Sequence, residues 1–174
     1  MKYLLLIVLV FNFLYSDDDY YYKESNKGVK PVENRLYINE CGACHFAYQP
    51  GLLTQKSWVR LMSDLENHFG VDASLLNEDL ETLRTYLKNN SAEKSMNYKR
   101  SRKMAYSMKR LNAYPIAITK VPYFREKHDE IPNRLIKQEE VKGLFNCTAC
   151  HTTAKKGIYS ERDIMIPNYG RWDD

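Results

Sequence analysis

The sequence predicts a mainly α-helical chain with little or no sheet, made of short helices in two small lobes. Two observations carry this reading. Apolar residues recur at helical spacing between residues that stop helices, and all four cysteines fall in two copies of one short motif, each closing a helical run. At 174 residues the chain is long enough for one domain or two lobes sharing a core.

The elements follow in chain order. Residues 17–34 are polar and tyrosine-rich without a period, which predicts a flexible lead. Arg35 to Ala43 predicts a short helix ending on the first cysteine motif, and Pro50-Gly51 a turn. Gln55 to Phe69 predicts a longer helix with Trp58, Leu61, Met62, Leu65 and Phe69 on its apolar face and Gly70 as its stop. Asn77 reads as the cap of the next helix, with Glu78 and Asp79 in its first turn, Leu76, Leu80, Leu83 and Leu87 as its stripe, and Asn89-Asn90 at its end. Residues 91–112 are basic and weakly periodic, a solvated helix face or a docking surface. Pro115 to Val121 reads as extended, its Ile-Ala-Ile-Thr run resembling a short strand. Thr119 and Pro122 then open a short helix through His128, and Leu135 to Phe145 predicts a helix leading into the second cysteine motif. Ser160-Glu161-Arg162-Asp163 has the form of a capping box. The expected division is 1–16 signal peptide, 17–34 lead, 35–112 first lobe and 113–174 second lobe, the lobes forming one compact unit.

The first sixteen residues set the expected compartment. Lys2 supplies a positive start, Tyr3 to Leu14 an apolar run broken by Asn12, and Leu14-Tyr15-Ser16 a cleavage site before Asp17. The run is too short to span a bilayer comfortably, and no cysteine follows it for lipidation. Export to the periplasm with cleavage is the expectation. The net charge of +4 falls by one when Lys2 is removed, and no arginine-rich recognition helix is present, so nucleic acid is not the expected partner.

The motifs are Cys41-Gly42-Ala43-Cys44-His45 and Cys147-Thr148-Ala149-Cys150-His151. C-x-x-C-H is the attachment signature of c-type haem. Two thiols at this spacing reach the two vinyl groups on one porphyrin edge, and the next residue places its imidazole under the iron. Two disulfides or a thioredoxin-like thiol pair are the competing readings of four exported cysteines, and a zinc site would want its histidine further away. The expected cofactors are therefore two haems c: one on Cys41 and Cys44 with His45 as axial ligand, the other on Cys147 and Cys150 with His151.

Counting suggests the remaining axial ligands. The chain has four histidines, so two irons leave His68 and His128. His68 lies 23 residues after His45 and His128 lies 23 before His151, whereas the crossed pairing needs 83 for each link. Loop entropy favours the local pairing by about 1 kcal/mol per link. Methionine is the rival ligand: Met62 is better explained as core, while Met96, Met104, Met108 and Met165 stay open.

With these residues identified, the chain resembles the small periplasmic dihaem cytochromes c of respiratory bacteria. The resemblance runs from about Tyr37 to Pro167. It rests on Glu40 through Leu53, on Trp58, Leu65, His68-Phe69-Gly70 and Ala73, on Tyr86-Leu87, Ser101-Arg102-Lys103, Ile118-Thr119, Pro122-Tyr123, His128 and Ile131-Pro132, and on Asn146 through His151 with Ile166-Pro167. The family implies a two-lobed, mainly helical fold around two bis-histidine haems, with His45 and His151 proximal and His68 and His128 distal. It also implies electron transfer to a small high-spin monohaem cytochrome, often near a membrane b-type cytochrome. The acidic, tyrosine-rich lead and the extra lysines depart from the family pattern.

An iron held by two imidazoles has no free position for a small-molecule substrate, so the expected role is outer-sphere electron transfer between redox proteins and not catalysis. The alternatives are an electron-donating subunit of a periplasmic reductase or, needing an open sixth position, a peroxidase-like enzyme.

Overall fold

The computed structural model describes residues 28–112 and 114–172. Its helices are α1 (Arg35–Cys41), α2 (Gln55–Met62), α3 (Asn77–Asn89), α4 (Lys99–Leu111), α5 (Pro122–Glu126), α6 (Asn133–Ile136) and α7 (Cys147–Cys150). Short 3₁₀ turns join several of them, and β1 (Met165–Ile166) pairs antiparallel with β2 (Gly170–Arg171). The fold is mainly α. The signal-peptide expectation and most of the lead lie outside the described residues.

Local chemistry explains the firmest elements. Asn34 accepts from the Tyr37 N–H at 2.8 Å and starts α1. Thr54 does the same for α2, accepting from the Ser57 N–H. Pro122 at the first position of α5 needs no amide partner. The apolar stripes then meet in one core, where α2 contributes Trp58 and Met62, α3 Leu83 and Leu87, and α4 Met104, Ala105 and Met108. Trp58 also donates its indole N–H to the Pro50 carbonyl at 2.8 Å, which fixes the turn after the first motif to α2.

Five sequence expectations are corrected. The helix from Gln55 stops at Met62, because Ser63 turns its hydroxyl back to the Arg60 carbonyl and the chain leaves the helix at Asp64. Leu76, and not Asn77, precedes the first turn of α3, and the Asn77 side chain does not cap it. The Ile-Ala-Ile-Thr stretch is not a strand: residues 118–120 form a 3₁₀ turn that buries Ile118. The helix expected over 135–145 is only α6, since Lys142 has a φ of 62° and Gly143 a φ of 140°, neither of which a helix admits. Ser160 precedes a 3₁₀ turn but makes no side-chain capping bond.

Candidate haem-binding site

Each C-x-x-C-H motif sits where a helix ends. Cys41 is the last residue of α1, and the Gly42 N–H donates to the Ile38 carbonyl, so the chain turns there and carries Cys44 and His45 outward. Cys147 and Cys150 open and close the single turn α7, three residues apart and therefore on one side of it. The His151 N–H donates to the Cys147 carbonyl at 2.8 Å, which folds the imidazole back beside both thiols.

The other two histidines come from different structures. His68 begins a tight turn in which the Val71 N–H donates to the His68 carbonyl, with Phe69 at φ 53° and Gly70 at φ 92°. Two successive positive φ values define a type I′ turn, so Gly70 serves this turn and not a helix end. The sequence reading of His68 as the flank of a helix is corrected accordingly. His128 lies two residues beyond α5, its ring stacked on Phe124 at 4.0 Å and its Nδ1 bonded to the Phe124 carbonyl at 2.7 Å.

The structure brings these side chains together in two pairs. His45 and His68 have ring centroids 6.1 Å apart with planes 24° from parallel. His128 and His151 are also 6.1 Å apart, with planes at 72°. Two metal–nitrogen bonds of about 2 Å separate the bonded nitrogens by about 4 Å, and half a ring on each side brings the centroids to about 6 Å. The spacing therefore fits one iron between each pair. The rings that approach each other are those of the local pairing, and Met104 lines the cavity of the second pair.

Burial holds the imidazoles of His68, His128 and His151 in the form a metal needs. Burial pushes the His151 pKa down to about 4, helped by His128 and the Arg100 guanidinium. His128 is lowered by burial more than its bond to Phe124 raises it, and His68 is lowered by burial and then by His45. A neutral imidazole keeps a nitrogen lone pair free. At His45 and His128 the Nδ1 atoms bond the Phe46 and Phe124 carbonyls at 2.8 and 2.7 Å, so that Nε2 is the nitrogen that could hold a metal.

The thiols behave as attachment points and not as redox catalysts. All four are free. Burial, then Glu40, raises Cys41 to about 11, and burial raises Cys147 to about 12. A thioredoxin-like pair needs a lowered thiol pKa, so that reading fails. Among the described residues no three His, Cys, Asp or Glu side chains converge to hold an ion directly, as a structural zinc would require.

The second site is enclosed by apolar side chains, among them Leu52, Met104, Ile118, Leu135, Val141 and Ile166, with Cys147, Cys150, His128 and His151 on its wall. A mostly apolar cavity with a thiol pair and two facing imidazoles fits a porphyrin. The first site is more open: Cys44 and Phe69 beside it are exposed.

Sequence reasoning missed the residues that join the two sites. Tyr48 lies 5.0 Å from the His45 ring and donates its hydroxyl to the Phe145 carbonyl, two residues before Cys147. Gln49 is fully buried, donating to the Ala154 carbonyl at 2.6 Å and accepting from the Tyr159 hydroxyl at 2.6 Å. Tyr159 in turn lies 5.3 Å from His151. The residues just after the first motif thus clamp the chain on both sides of the second. Arg100 adds a cation to the second site, donating to the Tyr123 hydroxyl and the Tyr159 carbonyl. Nothing marks these tyrosines among the fourteen in the sequence; Tyr48 and Gln49 could have been suspected only from their place three and four residues after His45.

Two motifs and two imidazole pairs around an apolar interior define a c-type cytochrome with two haems. The comparisons agree. The family model for dihaem cytochrome c matches residues 37–159, and the chain belongs to that family. Its structure is similar to the dihaem cytochrome c of Shewanella baltica, with 35% identity and a TM-score of 0.66 over 80% of this chain and 98% of that one. It is also similar to a dihaem cytochrome c from Rhodobacter sphaeroides, with 37% identity and a TM-score of 0.64 over 75% of this chain and all of that one. A search of curated protein sequences found no match. The cofactors are two haems c, and the family implies electron transfer.

Proposed function

We propose that this protein is an exported, bis-histidine electron carrier. In this reading His45 and His68 hold the first iron, His151 and His128 the second, and Cys41, Cys44, Cys147 and Cys150 carry the thioethers. The two imidazole pairs at 6.1 Å support it most directly. When bound, each haem supplies a one-electron ferric/ferrous couple. The protein keeps both axial positions filled in either oxidation state, so little nuclear rearrangement accompanies electron transfer. Two imidazoles favour a lower potential than histidine with methionine, which suits a donor at the reducing end of a chain. Arg100 beside the enclosed site would favour the less positive ferrous state there.

Export rests on the signal-like start. The proposed partners, a small high-spin monohaem cytochrome and a membrane b-type cytochrome, rest on the family resemblance. Intact mass of the exported protein should equal that of a chain beginning at Asp17 plus two haems, about 1.2 kDa more than the polypeptide. A polypeptide mass carrying two disulfides and no haem defeats the reading.

Electron paramagnetic resonance tests the ligation itself. Near-parallel imidazole planes, as at His45 and His68, split the two iron orbitals that bond to the rings and give a rhombic low-spin ferric signal. The 72° arrangement at His128 and His151 leaves those orbitals nearly degenerate and gives a far more anisotropic signal. The oxidised protein should show both in equal amounts. A high-spin signal from half of the iron would contradict bis-histidine ligation at one site.

A further inference from the structure

We propose that the outer face of α4, with the groove between α4 and α2, is the docking surface for an electron-transfer protein whose own cofactor is surrounded by acidic side chains. The proposal rests on the electron-carrier reading above. α4 carries Lys99, Arg100, Arg102, Lys103, Lys109 and Arg110 in thirteen residues and no carboxylate. Lys99, Lys103, Lys109 and Arg110 are exposed, and the ion pair found among the described residues is elsewhere, between Arg84 and Glu81.

This arrangement works against the helix. Lys99 and Arg100 lie in the first turn, where the macrodipole favours acids, and Lys99 and Lys103 repel one turn apart. By contrast α3, an ordinary surface helix, has Glu78 and Asp79 in its first turn and Lys88 in its last. Lys109 and Arg110 suit the last turn of α4 as Lys88 suits that of α3, so the charge that stability does not explain is that of the exposed Lys99 and Lys103.

Its position connects it to the chemistry. At 3.6 residues per turn, Lys99, Lys103, Tyr106 and Arg110 form one stripe along the helix. On one flank of that stripe Arg100 and Met104 line the cavity that holds His128 and His151. On the other, Tyr106 and Lys109 face Val59, Arg60 and Tyr114 across a groove of about 690 Å³. Tyr106 and Val59 are exposed there, and Lys56 sits 4.5 Å over the Tyr114 ring. The acid in the groove, Glu93, is taken up by the Gln55 N–H. An aromatic floor with a cationic rim anchors and steers an anionic protein surface. A partner seated on α4 is separated from the second haem site by one helix, about 10 Å across.

The test is the rate at which the full haem-loaded protein is reduced by two donors: the hydroquinone of an acidic flavodoxin, and the neutral semiquinone of free lumiflavin. The flavodoxin rate should fall steeply with salt, and K103E/K109E/R110E should lower it about tenfold or more at low ionic strength. The lumiflavin rate should stay unchanged under both treatments. The triple glutamine variant at the same positions should fall by an intermediate factor, and it keeps the test available where charge reversal impairs folding. Flavodoxin rates equal in wild type and variants overturn the proposal. Faster rates in the variants also overturn it. A wild-type protein reduced by neither donor overturns the electron-carrier reading and this surface with it.

Discussion

Reduced protein exposed to carbon monoxide at neutral pH is expected to show no adduct, whereas His128→Ala should bind the gas at one haem of the two. Carbon monoxide needs a vacant or weakly held position on ferrous iron. Imidazoles bound on both faces of each iron would leave none, and His128 is held from behind by its contact with Phe124 and its bond to the Phe124 carbonyl. Truncation removes the ligand with its anchors and opens the enclosed second site only. His68→Ala should open the first site, with the second staying six-coordinate. The effect is all or none at each haem, read from the absorption spectrum before and after the gas is added. An adduct in the unsubstituted protein would place an open iron in this chain and move the peroxidase-like reading ahead. If neither substitution changes the spin state, the distal ligands are misassigned and Met104 of the second cavity becomes the first candidate.

The second large effect is expected at Gly157, on the loop that follows His151. Gly28 and Gly157 have φ values of 98° and 73° and lie against each other. The Val29 N–H donates to the Gly157 carbonyl at 2.9 Å, and the Arg100 N–H donates to the Gly28 carbonyl at 2.9 Å. This contact ties the start of the described chain to α4 and to the loop that follows His151. A Cβ at Gly157 would lie 2.2 Å from the Val29 carbonyl oxygen, which is backbone and cannot swing away. Gly157→Ala should therefore combine the cost of a left-handed alanine with separation of the two segments, about 2–4 kcal/mol. In a chain of this size that lowers the thermal midpoint by roughly 10 °C. Gly170→Ala is the control: its φ is 103°, but no atom lies within 4 Å of the added carbon, so it carries the backbone cost alone. Equal midpoints for the two variants would show that the Gly28–Gly157 contact contributes nothing.

The sequence by itself determined what depends on short-range chemistry. Thioether attachment demands two thiols at a fixed spacing with an imidazole next to them, so the two motifs are legible without coordinates. The stripes of α2 and α3 are legible in part for the same reason, with Trp58, Met62, Leu83 and Leu87 buried but Phe69 and Leu76 exposed, as is Pro122 at the start of α5. Histidine pairing was only favoured by loop length, and the tertiary structure sets the His68 ring, on a type I′ turn, 6.1 Å from that of His45. Elsewhere local signals misled. Gly70 has the chemistry of a helix stop, yet Ser63 and Asp64 had already ended the helix. The apolar run after Leu135 has helical composition, but Lys142 and Gly143 adopt positive φ where the chain turns toward α7.

What only the tertiary structure decided is how the two sites share one interior. Gln49 meets Ala154 across 105 residues and Tyr159 across 110, and Tyr48 meets Phe145 across 97. No periodicity encodes such contacts, because each joins a polar side chain to a distant hydroxyl or backbone carbonyl. Burial makes the difference: a glutamine amide removed from water must find both a donor and an acceptor, and here the groups that satisfy it lie on the loop that follows the second haem motif.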